Sequence, residues 1–112
     1  MIDGYEFGEI SIDGKTYHHD VIIYKDRVDD AWNRIEGHKL SLSDIAPILD
    51  KKPEILVIGT GADGVMNVPA GVIASIEAKG IKVIAKRTGD ACEDYNQLFP
   101  SKNVIAALHL TC

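Results

Sequence analysis

The sequence predicts an α/β protein, with a β-α-β-α-β unit over residues 54–112 and an antiparallel β-hairpin, a loop and a short helix over residues 1–53. Three observations predict it. Ile55-Leu56-Val57-Ile58 is an unbroken apolar run closed by Gly59, the pattern of a strand covered on both faces. Two segments of helical period follow, one opened by Pro69 and closed by Gly80, the other opened by Thr88 and closed by Pro100. Near the start, Asp13-Gly14 separates two short strand-like segments and signals a tight turn. With 112 residues, 46% of them hydrophobic, the chain is expected to form one domain whose core needs neither a disulfide nor a structural metal.

The elements follow in order. In Phe7–Ile12, Gly8, Ile10 and Ile12 share one face while Phe7, Glu9 and Ser11 share the other, and Lys15–His18 returns after the turn. Val21–Tyr24 extends the β signal until Lys25-Asp26-Arg27 interrupts it. Residues 26–41 have no sustained period and read as a loop. Within them Trp32, the only Trp, is expected to pack over one end of the sheet; the alternative is an exposed anchor beside Asp29 and Asp30. Ile45, Ile48 and Leu49 fall at helical spacing, with Ser43 placed to cap and Pro47 in the tolerated first turn. After strand 55–58, Pro69 opens a helix that runs through Lys79, with Val72, Ile73 and Ile76 as its apolar stripe. Ile81–Ala85 is the next strand. Thr88 is placed to cap a second helix whose buried face is Ala91, Cys92, Tyr95, Leu98 and Phe99, with Asn96 helping to close the following turn. Val104–Leu110 is the last strand.

The net charge of -5, with 11 of the 17 acids in residues 1–50, argues against nonspecific nucleic-acid binding, which needs clustered Lys and Arg. The acidic half reads as a solvated face or as a docking surface for a basic partner. No run approaches the roughly 20 apolar residues of a membrane span. Met1–Gly14 carries Asp3, Glu6, Glu9 and Asp13 where a leader would be basic and then apolar, so the expected location is the cytoplasm. Cys92 and Cys112 fit a reducing compartment.

Gly59-Thr60-Gly61-Ala62-Asp63-Gly64 matches the glycine spacing of a dinucleotide loop directly after a strand. The context departs from that fingerprint, because Val65–Val68 intervene before the helix and the next strand ends in Lys86-Arg87 instead of an acid. The glycines then serve either an anion or the backbone alone. If the three C-terminal strands are parallel, Gly59, Thr60, Gly61, Arg87, Thr88 and His109 gather at one sheet edge, where open α/β sheets place ligands. These six residues are the candidate ligand or anion site. Thr88 beside Arg87 adds a helix N-terminus that favours anions, or it is an ordinary cap with a solvent-facing neighbour. His109 and Cys112 are three apart and so face opposite ways on a strand, and no C-x-x-C accompanies them; no metal and no cofactor is expected. His18-His19 face apart for the same reason, and His38 reads as a loop hydrogen-bonding residue.

Trp32-Asn33-Arg34 with Gly37-His38, Ile58-Gly59-Thr60-Gly61, Thr88 with Ala91 and Tyr95-Asn96-x-Leu98, and Ala106-Ala107-Leu108-His109-x-Thr111-Cys112 together resemble a small domain family of archaeal and bacterial proteins. That family also includes a human adipogenesis-associated protein and a mitochondrial assembly factor for respiratory complex I. The resemblance implies a three-layer domain with a mixed central sheet, helices on both faces and an accessory N-terminal hairpin. It implies no agreed reaction, cofactor or catalytic set. The ending His109-x-Thr111-Cys112 is closer to the adipogenesis-associated branch, so a complex I role is not carried over. Two functions stay open: a protein-interaction or assembly module, favoured here and compatible with a protein partner or a homo-oligomer, and a small-molecule site that leaves catalysis an open question.

Overall fold

The computed structural model describes residues 1–112. Its chain forms an antiparallel three-stranded sheet and a mixed five-stranded sheet. β1 (Ile2–Glu6), β2 (Glu9–Ile12) and β3 (Lys15–Tyr17) build the first in the order β1-β2-β3. Asp13 and Gly14 both take positive φ, 48° and 82°, as the tight turn requires. The expected hairpin is thus β2–β3, and β1 is an addition to it. Asp3, Gly4 and Glu6 hide β1 from any alternation rule, and Phe7, expected inside a strand, lies exposed in the turn before β2. Asn96 anchors β1 from across the molecule: its Oδ1 accepts the Ile2 N–H at 2.8 Å and its Nδ2 donates to the Ile2 carbonyl at 2.8 Å. It therefore works as a strand partner instead of closing its own helix's turn.

The larger sheet contains β4 (Val21–Ile23), β5 (Val28–Asp29), β6 (Ile55–Thr60), β7 (Lys82–Lys86) and β8 (Val104–His109), in the order β5-β4-β8-β6-β7. β6 pairs in parallel with β7 and β8, while β4 runs antiparallel to both β8 and β5. α2 (Ala70–Glu77) links β6 to β7, and α3 (Thr88–Leu98) links β7 back over β6 to β8. Right-handed crossovers stepping in opposite directions require helices on opposite faces. The two cores have that arrangement. On one face Val57, Val104, Ala106 and Leu108 pack with Ala91, Cys92 and Tyr95 of α3 and with Ile2, Ile10 and Ile12 of the small sheet. On the other, Leu56, Ile58, Ile105 and Ala107 pack with Ile76 of α2, Trp32, Leu40 and Ile48. The alternating faces of β6 and β8 explain why their sequences are apolar throughout.

Several boundaries differ from expectation. Ser41, not Ser43, opens the short helical segment: a 3-10 turn over Leu42–Ile45 runs into α1 (Ala46–Asp50), and Asp44 Oδ2 accepts the Ser41 N–H at 2.9 Å. The loop of residues 26–41 contains β5 and the buried Trp32. Of the α2 stripe only Ile76 is fully buried, because α2 lies toward the sheet's edge strand. That edge strand, β7, is flanked by Lys82 and Lys86, the latter paired with Asp94 at 2.8 Å, and the opposite edge, β5, is two residues long. Replacing Asn96 by Ala leaves both backbone groups of Ile2 unpaired; urea denaturation is expected to report a loss on the order of 1–3 kcal/mol, with hydrogen exchange accelerated first in β1.

Candidate functional site

The three parallel strands end at one edge, where the register sets Thr60 against His109. β4 runs the other way beside β8, with Val21 opposite Leu108, so the residue before Val21 comes level with the residue after Leu108. Asp20 thereby meets His109. Asp20 Oδ1 accepts the Leu110 N–H at 2.7 Å, while Oδ2 lies 2.8 Å from His109 Nδ1 and 2.9 Å from Arg34 Nη2. Arg34 reaches in from the loop, donates through Nε and Nη2 to the Gly37 carbonyl at 3.2 and 3.1 Å, and lies over the Trp32 ring at 4.6 Å. The Arg34 and His109 side chains are only 4% and 7% exposed.

Counting protons fixes the pattern. Arg34 Nη2 has two hydrogens, which Asp20 Oδ2 and the Gly37 carbonyl already take. Its 3.0 Å approach to His109 Nδ1 is therefore not a donation, and the ring proton on Nδ1 points to Asp20. Burial alone would push the Asp20 carboxyl up, but hydrogen bonds from His109, the Leu110 N–H and Arg34 outweigh it and hold the group at about 2. Two buried atoms have no partner: Arg34 Nη1 and His109 Nε2. Arg34 also lines a cavity of about 560 Å³ together with Trp32, Asn33, Ile35 and Asp44; His109 is not among its lining residues. His38 stands edge-on to the His109 ring, with centroids 5.9 Å apart.

Of the six residues singled out from sequence, Gly59, Gly61, Thr88 and His109 meet directly. The Thr88 hydroxyl donates to the His109 carbonyl at 2.6 Å and accepts the Gly61 N–H at 2.9 Å, and the Thr88 N–H donates to the Gly61 carbonyl at 3.0 Å. Arg87, not Thr88, is the N-cap of α3; the Thr88 hydroxyl is already spent across the sheet. Gly59 has no room for a side chain, since a Cβ there would lie 2.8 Å from Thr88 Oγ1. Gly61 has φ +106°, and its Cβ would enter the backbone of Cys112. The loop after β6 gives its Ala62 and Val65 N–H groups to the carbonyls of Thr111 and Cys112 at 2.7 and 3.0 Å. Thr60 Oγ1 donates to the Lys86 carbonyl at 3.1 Å, and Arg87 remains exposed with its stem beside Gly64. Asp20 and Arg34 were missed as site residues. The only sequence signal was Arg34 in the Trp32-Asn33-Arg34 motif, since Asp20 becomes relevant only once β4 is known to lie beside β8.

The cysteines stand apart from this cluster. Cys92 is buried against the sheet, where desolvation pushes its thiol up to about 12, and Cys112 packs its backbone on Gly61. No three His, Cys, Asp or Glu side chains are grouped to hold a metal ion, and no helix is long and apolar enough to cross a membrane.

Residues 2–109 match the profile of the family described as "Protein of unknown function (DUF498/DUF598)". The chain belongs to this family. Among solved structures it is similar to a conserved hypothetical protein from Pyrococcus horikoshii, with 28% identity, a TM-score of 0.85, and coverage of 100% of this chain and 99% of that one. It is also similar to a protein from Bartonella henselae described as an outer membrane protein, at 22% identity and a TM-score of 0.83 over 99% and 94% of the two chains. A third is a Mth938-like domain of Bordetella pertussis, at 19% identity and a TM-score of 0.65 over 98% and 85%. These likenesses establish the α/β fold of the DUF498/DUF598 family for this chain.

Two outcomes follow. The folded value of Asp20 lies below the ordinary 3.8, so the stability it supplies is complete above that value and is lost as pH falls toward 2. The melting temperature of the native protein should drop between about pH 4 and pH 2, and Asp20→Asn should be less stable at neutral pH with a flatter profile across that window. Thr88→Val leaves the Gly61 N–H and the His109 carbonyl unpaired; chemical denaturation should register a loss of about 1–3 kcal/mol, largely restored in Thr88→Ser.

Proposed function

We propose that the protein is a binding module for a small ligand, taken up at the Arg34–His109 pair where β8 ends. One observation carries this reading: two side chains, 4% and 7% exposed, each keep one polar atom without a partner. An unpaired buried polar group costs about 1–3 kcal/mol, so such an arrangement persists where something else completes it. Its position supports the same reading, because open α/β sheets bind ligands beyond the carboxyl ends of their strands. In this proposal Gly59, Gly61 and Thr88 hold the His109 backbone in place, while Thr60 and the exposed Arg87 form the outer rim. Asp20 is a positioning residue for both contact groups.

A second reading, an interaction or assembly module, draws on Ile35, which is 80% exposed and lines the same cavity as Trp32 and Arg34. In either case we take residues 1–112 as one domain, since the small sheet and the large sheet contribute to one core. Residence in the cytoplasm is part of the proposal and is supported by two free cysteines.

Native mass spectrometry of freshly purified protein separates the two. The binding reading expects a reproducible added mass that is lost in Arg34→Lys, which keeps the charge but removes the planar fork. A bare dimer that dissociates in Ile35→Asp would favour the assembly reading instead. A bare monomer whose Arg34 and His109 resonances respond to no small molecule overturns the binding proposal.

A further inference from the structure

We infer that residues 33–39 form a strap closed over His109, which lifts as a unit and so gates the site; this deepens the binding reading and rests on it for the purpose of the gate. His109 is covered. Its Nε2 is buried, and the large cavity that Arg34 borders does not include it. Among the polar side chains that meet its ring, Asp20 is fixed from β8 by the Leu110 N–H at 2.7 Å. The other two, Arg34 and His38, both belong to residues 33–39. A ligand reaches the His109 ring once those two have moved.

The segment is built to lift. It hangs between two buried anchors, Trp32 at 4% and Leu40 at 1% exposure, and every residue between them is exposed or half-buried. It contains no helix and no strand. Cavities border it on two sides, the large one beside Asn33 and Ile35 and one of about 160 Å³ between Ile35, Glu36, Lys39 and Ser41. Lifting it therefore uncovers little apolar surface. Three hydrogen bonds tie it to other segments: Arg34 Nη2 donates to Asp20 at 2.9 Å, the Ile35 N–H donates to Asp44 Oδ1 at 3.1 Å, and the Asn67 N–H donates to the His38 carbonyl at 2.8 Å. The bonds from Arg34 to the Gly37 carbonyl lie inside the strap and travel with it. Arg34 is thus the latch, the strap's one side chain held by the covered cluster. Closure also leaves Arg34 Nη1 and His109 Nε2 without partners, and opening gives both to water, which offsets part of what the latch loses. Segments with few buried apolar contacts and few external hydrogen bonds are the ones that open while the rest of a protein stays folded.

Native-state hydrogen exchange of the full chain, followed by NMR across urea concentrations below the unfolding transition, tests the strap. The Ile35 and Asn67 amides report its two backbone ties, and the Val57 amide, in the middle of the central strand β6, reports unfolding of the whole domain. Both strap amides should exchange at least about 100-fold faster than Val57, with rates that barely respond to urea because little surface is uncovered. Corrected for intrinsic rates, their opening constants should agree within about threefold, the mark of one cooperative unit. Arg34→Lys keeps the charge but loses the planar fork. It should speed both amides together by about tenfold relative to Val57 in the same sample, although neither is bonded to Arg34. The internal reference removes any general loss of stability, and the native protein alone reads the urea dependence if the variant folds poorly. Strap amides that exchange with the rate and urea dependence of Val57, or that Arg34→Lys leaves unchanged relative to it, overturn the strap. The binding reading would survive that result, because its retained mass is measured separately. A strap that opens as described in a protein that takes up no small molecule upholds the strap and sinks the binding reading.

Discussion

One ionised carboxylate organises the least regular third of the chain. Asp20 takes hydrogen bonds from the Leu110 N–H, His109 and Arg34, which ties the entry to β4, the exit from β8 and the loop of residues 30–40 to a single point. The order then passes outward. Arg34 lies on Trp32, the Trp32 indole donates to the Asp44 carbonyl at 3.0 Å, and the Asp44 carboxylate receives the N–H groups of Ile35 and Ser41. Each of these contacts fixes a stretch of backbone that makes almost no ladder hydrogen bonds of its own. A loop held by polar side chains can aim buried groups inward in a way that a loop held by apolar packing cannot.

The glycine motif reads differently once its neighbours are known. Its spacing suits a phosphate, yet Gly59 yields its space to Thr88 and Gly61 yields its space to Cys112. The close approach serves the protein's own chain. Thr88 then joins the loop after β6 to the last residue of β8 through one hydroxyl, which makes the backbone behind the His109 side chain rigid. In the proposed binding reading, this is the rigid support that a site requires of its scaffold.

How much of this was legible varied with the range of the interactions involved. β6, α2 and α3 were readable because their signals are local: an apolar run, a proline, a glycine and a helical stripe. β1 was not, since Ile2 is its one fully buried residue and its anchor, Asn96, is 94 residues away. Thr88 looked like a cap because Thr often is one, and its real hydrogen bonds cross to other strands. His109 was singled out for its place at a strand end, and it does end β8, but its neighbours were not foreseen: Asp20 depends on β4 lying beside β8, and strand order does not follow from periodicity. Arg34 sat in a segment without period, where no pattern marks one charged residue as buried.

The edges of the large sheet limit how this protein could join others. With one edge reduced to the two residues of β5 and the other, β7, bracketed by lysines, little free backbone is left for a neighbouring chain to extend the ladder. Association would therefore proceed through side chains on the faces and loops, where single substitutions can tune it. Growth by strand addition, the route toward open-ended fibres, is blunted on both sides.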